Sequence, residues 1–112
     1  MKLKVTELTK STIRESAIKE LTWRGCTVWV QNNLAVPGRK FIGKRGQSDV
    51  IGFRNKDCVM VACEVKTIND RLSDDQIKFL NQIKKAGGIA LLACQSPTGQ
   101  VELREWEIQT IK

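Results

Sequence analysis

The chain has 112 residues, enough for one domain (1–112) with its own core and short of the size at which chains divide in two. Its 41% apolar and 28% charged residues are those of a folded soluble domain, and 19 Lys and Arg against 12 Asp and Glu leave a net charge of +7. No His is present, which excludes a histidine base, a histidine zinc ligand and a catalytic triad.

Residues 1–10 are polar and charged, without the apolar stretch of a secretory signal. The longest apolar runs, 59–63 and 89–94, fall far below the ~20 residues of a membrane span and are expected to be buried strands. A cytoplasmic protein is therefore expected. Cys26, Cys58, Cys63 and Cys94 form no CxxC pair and sit in or beside apolar stretches, the pattern of reduced core residues. Trp23, Trp29 and Trp106 are likewise expected in the core or at a dimer interface.

Thr12-Ile13-Arg14-Glu15 has the form of a capping box, and Ile13, Ala17 and Leu21 continue it as an apolar helical stripe that Gly25 ends. Residues 26–31 alternate as a short strand. Residues 32–46, rich in Gly and cations, are expected to form a loop. Two strand-like runs follow, 48–53 and 58–66, around the polar turn Arg54-Asn55-Lys56-Asp57. The second is apolar on both faces and is expected at the centre of a sheet.

Ser73-Asp74-Asp75-Gln76 opens a second helix, again as a capping box, with Ile77, Phe79, Leu80 and Ile83 on its apolar side and Gly87-Gly88 at its end. A strand over 89–94 and an alternating segment from Val101, with a final short helix, complete the order α-β-β-β-α-β-β. A helix between two buried strands implies a right-handed crossover and a parallel pair. The fold class is α/β, a mixed central sheet flanked by helices.

Facing residues of an antiparallel pair have numbers with a constant sum. A tight turn centred on Lys56-Asp57 sets that sum at 113, so Asp49 faces Glu64, with Cβ atoms roughly 5 Å apart. Lys66, two residues past Glu64, projects from the same face. Two facing carboxylates repel unless a cation joins them, and with a nearby carbonyl they suit Mg²⁺ or Mn²⁺. A lysine beside such an ion can stabilise charge on a phosphate, which gives phosphodiester hydrolysis without His. The plainer alternative is a charged strand end, a surface Glu–Lys pair with Asp49 starting its strand. Glu15 and Gln76 each stand fourth in a capping box and can serve only their helix termini.

Gly46-Gln47-Ser48-Asp49-Val50-Ile51-Gly52, then Glu64-Val65-Lys66, then Leu72-Ser73-Asp74-Asp75-Gln76-Ile77-Lys78-Phe79-Leu80, then Gly87-Gly88-Ile89-Ala90, in this order and spacing, resembles the VRR-NUC family of the PD-(D/E)xK nuclease superfamily. The resemblance runs from about Glu15 to the strand after Gly88. It implies a restriction-endonuclease-like fold, with Asp49, Glu64 and the Val65 carbonyl as metal ligands and Lys66 as the catalytic lysine. Glu15 matches the acidic residue of the family's first helix and Gln76 the glutamine opening the next. Ser48 stands where the superfamily name has Pro. The implied activity is Mg²⁺-dependent endonucleolytic cleavage of branched, Holliday-junction or flap DNA, as in small phage or bacterial enzymes.

Gly38-Arg39-Lys40-Phe41-Ile42-Gly43-Lys44 also fits the phosphate-binding loop of nucleotide hydrolases. Arg45 replaces the Ser or Thr that would hold Mg²⁺, and a strand follows where a helix is needed, so that reading fails. Arg39, Lys40, Lys44 and Arg45 are instead expected to contact DNA phosphates beside Asp49. A solvated basic loop is the alternative. A chain this short leaves little surface for reading base edges, so structure-selective cleavage is expected. Cutting both strands of a junction needs two sites, hence a homodimer, and a helicase or other replication or repair partner could deliver the substrate. The rival readings are a non-catalytic basic nucleic-acid-binding module and a protein-interaction scaffold.

Overall fold

The computed structural model describes residues 6–31 and 46–111. Helix α1 (Lys10–Trp23) is capped by Thr9, whose hydroxyl accepts from the Thr12 amide at 3.2 Å. The expected Thr12–Glu15 box is therefore displaced by one turn. Thr12 is already the third helical residue, and Glu15 lies in the helix interior. Gly25, at φ +89°, ends the helix in the left-handed region, as its position suggested.

Strands β1 (Cys26–Val30), β2 (Val50–Arg54) and β3 (Met60–Val65) form an antiparallel meander. The observed β2–β3 pairs, Val50 with Cys63, Ile51 with Ala62, Gly52 with Val61 and Phe53 with Met60, keep the expected sum of 113. Both strands begin two residues later than the sequence pattern predicts. Arg54 bridges to Asp57 across the turn, and Cys58 takes a φ of +61°. Cys58 is exposed, not a core residue.

Helix α2 (Asp74–Lys85) crosses from β3 to β4 (Ile89–Gln95), which pairs with β3 in parallel, and β5 (Val101–Glu105) closes the sheet antiparallel to β4. Strand order is β1-β2-β3-β4-β5. Residues 106–111 form no helix, against expectation. They are tied down by Asn81, whose side-chain oxygen accepts from the Trp106 indole and the Gln109 amide and whose nitrogen donates to the Gln109 carbonyl. These bonds explain why a polar helix residue is buried.

Alternation along β3 divides the core. Val61, Cys63 and Val65 face α1 and pack with Ile13, Ala17 and Leu21. Ala62 faces α2 and packs with Phe79, Leu80 and Trp106. Glu64 and Lys66 continue the Ala62 row, toward α2. Trp106 is buried as expected, whereas Trp23 (87% exposed) and Trp29 (47%) are not core residues. Among the described residues no helix is long and apolar enough to cross a membrane.

Candidate active site

Three elements converge at one end of the sheet. The segment leading into β2 passes close to the first turn of α2. Gly46, at φ +76°, has no room for a side chain, because a Cβ there would run into the Asp75 carbonyl. Ser48 follows, fully buried, and Asp49 stands one residue before β2. The β2–β3 register, continued by one pair, sets Asp49 opposite Glu64. Asp49 Oδ2 accepts from the Val65 amide at 2.9 Å, and Lys10 Nζ, in the first turn of α1, lies 3.3 Å from Oδ1. Lys10 reaches the site because Gln95, at the end of β4, holds the preceding segment: it accepts from the Leu8 amide and donates to the Thr6 carbonyl.

Glu64 is fully buried. Its Oε1 accepts from Gln76 Nε2 at 3.0 Å, while Oε2 has no donor among the described residues. Gln76 does two things at once. Its Oε1 accepts from the Ser73 amide as the far half of the capping box, and its Nε2 holds Glu64. The helix-capping and site roles are thus made by opposite ends of one amide.

The two carboxyls are driven apart in acidity. Burial, then the hydrogen bond and charge of Asp49, push Glu64 up to about 9, so it is protonated at neutral pH. Burial alone would raise Asp49 too. Hydrogen bonds from Glu64 and the Val65 amide, together with Lys10, outweigh it and hold Asp49 below the usual carboxylate range. A proton on Glu64 would make it the donor in its hydrogen bond with Asp49 and would relieve the orphaned acceptor. A divalent cation between the two carboxylates would satisfy the same oxygen in the proton's place, so this pair fits a hard metal ion. No cluster of three or more His, Cys, Asp or Glu occurs among the described residues. A cation here would keep several water ligands, as Mg²⁺ does.

Lys66 follows β3, half-buried, on the same sheet face as Glu64, and its backbone amide donates to the Ala93 carbonyl. Glu15 takes no part in this arrangement. It is exposed on α1, between Ile13 and Ala17, which point into the opposite face of the sheet. The residue that α1 does bring to the carboxylates is Lys10, which no local pattern marks. Arg39, Lys40, Lys44 and Arg45, and the Gly38–Lys44 motif, lie outside the described residues.

A mixed five-stranded sheet with a helix on each face, carrying an acidic pair and a lysine at the ends of its central strands, defines a restriction-endonuclease-like α/β fold. The chain belongs to the VRR-NUC family of nucleases, whose domain matches residues 11–97. The 1.6 Å structure of Archaeoglobus fulgidus Hjc, a Holliday junction resolvase from an archaeal hyperthermophile, is similar with a TM-score of 0.57. Identity is 17%, over 85% of this chain and 75% of that one, a likeness of fold. No curated protein matches the sequence significantly.

Proposed function

We propose that this chain is a metal-dependent DNA endonuclease, a single domain over 1–112 that cuts branched DNA such as Holliday junctions or flaps. The observation that carries the reading is the pairing of a half-buried Asp49 with a fully buried Glu64 that has an oxygen lacking a donor, with Lys66 following on the same sheet face. Membership of the VRR-NUC family supports nuclease chemistry, and the fold shared with a Holliday junction resolvase supports structure selection.

Asp49, Glu64 and the Val65 carbonyl would hold Mg²⁺, or Mn²⁺ in its stead. Such an ion polarises the phosphate and acidifies a coordinated water. Glu64 would hold the ion as the carboxylate, its proton released to solvent, and Gln76 Nε2 donates to Oε1 and orients it. Lys10, whose Nζ lies 3.3 Å from Asp49 Oδ1, would compete with the ion for that carboxylate. Lys66 stabilises negative charge developing on the scissile phosphate, or orients the attacking water. Arg39, Lys40, Lys44 and Arg45 grip the backbone. Two copies would be needed to cut both strands of a junction, which favours a homodimer.

The test is cleavage of labelled four-way junction, flap, nicked and linear duplex DNA with Mg²⁺, Mn²⁺ or EDTA, beside Lys66→Ala. Metal-dependent cutting of branched substrates, lost in the variant, is expected. Binding without cutting on every substrate, indifferent to the substitution, would leave a basic binding module instead.

A further inference from the structure

Beyond Lys66, at the carboxyl ends of the parallel strands β3 and β4, lies an open cavity of about 540 Å³. Crevices outside the carboxyl ends of parallel strands are the usual ligand positions in α/β sheets, and this volume is in the ordinary range for a small-molecule pocket. Leu72, Ile77, Leu92 and Cys94, all half-buried, give its lining an apolar floor less exposed than the arginines around it. Its walls carry Lys66, Arg71 and Arg104. The one acid among the lining residues, Asp70, is engaged by the loop itself, accepting from the Thr67 amide at 3.1 Å. Arg104 shares its charge with Glu102, whereas Arg71 is exposed and makes no ion pair among the described residues.

An apolar floor under a cationic rim suits a flat, weakly polar group attached to an anion. Paired duplex DNA offers no such group, because its bases are stacked inside. An unpaired nucleotide does: the base lies on the floor and its phosphate meets the arginines. We propose that this cavity is a subsite for a single unpaired nucleotide next to the scissile phosphate. It makes the substrate DNA with a nucleotide splayed out of the helix at the cut, and it rests on the nuclease reading above. Arg71 and Arg104 are then specificity residues, and Lys66 is the shared boundary between subsite and cutting site. Unstacking costs least where pairing is already broken, so such a subsite discriminates without reading sequence.

Two readouts separate this proposal from that reading. In the first, single-turnover cutting is compared on two duplexes that differ only by one unpaired nucleotide at the cleavage position. Arg71→Ala with Arg104→Ala should lower the preference for the unpaired substrate about tenfold or more, from the loss of charge-assisted bonds, and leave the paired duplex unchanged. Cys94→Trp, which fills the floor, should do the same. Equal slowing on both substrates would overturn the proposal and make the arginines a general backbone grip.

The second readout needs no cutting. Cys26 and Cys63 are buried, so in a Cys58→Ser background Cys94 is the cysteine open to a maleimide. In EDTA, an oligonucleotide duplex with one unpaired nucleotide should slow Cys94 alkylation several-fold, and the fully paired duplex should not. Protection in a chain that cuts nothing would sustain the subsite while the nuclease reading fails. Absence of protection, or equal protection by both duplexes, would overturn the subsite whatever the chain cuts.

Discussion

Replacing Glu64 by Gln should stabilise the metal-free protein, and the size of the gain should depend on pH. The amide copies the protonated carboxyl: its oxygen can still accept from Gln76 Nε2, and its nitrogen can donate to Asp49 as the Glu64 proton does. In the wild type that proton must be taken up on folding. The folded value is about 9 against an ordinary 4.5, so the raised carboxyl contributes stability that is fully present below 4.5 and lost progressively as pH climbs to 9. The slope within that window is about 1.4 kcal/mol per pH unit. At pH 7.5 the wild type should therefore sit on the order of 4 kcal/mol below Glu64→Gln, roughly 10–20 °C in Tm for a chain of this size. At pH 5 the two should nearly coincide. Asp49, held low, works in the opposite sense, adding stability that is lost only as pH falls below the usual carboxylate range, outside this window. Thermal unfolding followed by circular dichroism in EDTA from pH 5 to 9 reads the difference directly. Wild-type stability that is flat across this range, or a variant less stable than wild type at pH 7.5, would refute a proton shared between Glu64 and Asp49.

Other perturbations follow from the same contacts. Lys10→Ala removes a partly exposed partner of Asp49 worth less than about 1 kcal/mol, so Tm should hardly move, while Mn²⁺ affinity measured by calorimetry should rise severalfold because the competing cation is gone. Gln76→Ala should cost about 1–3 kcal/mol by denaturant titration, since it breaks the capping box and leaves Glu64 Oε1 without its donor. Gln76→Glu restores the cap acceptor but sets a third carboxyl beside Glu64, so it should recover helix stability and not cutting rate. Neutralising Arg39, Lys40, Lys44 and Arg45 together should reduce the slope of log affinity against log salt by about 3.6, measured on duplex DNA by anisotropy.

The part of the site that was legible in the sequence is the part set by local periodicity. A polar turn between two strand-like runs fixes a register, and a period of two puts Glu64 and Lys66 on one face. The Ser73–Gln76 box was equally readable, because both of its halves lie within one helical turn. The sequence pattern puts the α1 cap a turn too late because Thr9, Ser11 and Thr12 offer interchangeable hydroxyls, and the approach of the chain held by Gln95 favours Thr9. Lys10 was invisible for the same reason: it meets Asp49 through a contact 39 residues away in sequence. Trp29 resembles a core strand residue, but it lies on the first strand of the sheet while α2 packs over β3 and β4. Asn81 is polar in a helix, and its burial depends on where residues 106–109 dock. Each miss is a long-range contact that no window of ten residues contains.

The central claim is that Asp49 and Glu64 hold a catalytic divalent ion, and Asp49→Asn tests it with the least disturbance, since the amide oxygen can still accept from the Val65 amide. Single-turnover cutting of a labelled four-way junction would be followed across a Mg²⁺ titration, with DNA binding measured in parallel. The variant should bind the junction as tightly as wild type and cut it at least about a hundredfold more slowly at every Mg²⁺ concentration, the scale expected when a charge-stabilising group is removed. Wild-type cutting by Asp49→Asn, with the same Mg²⁺ dependence, would contradict the assignment of these carboxylates.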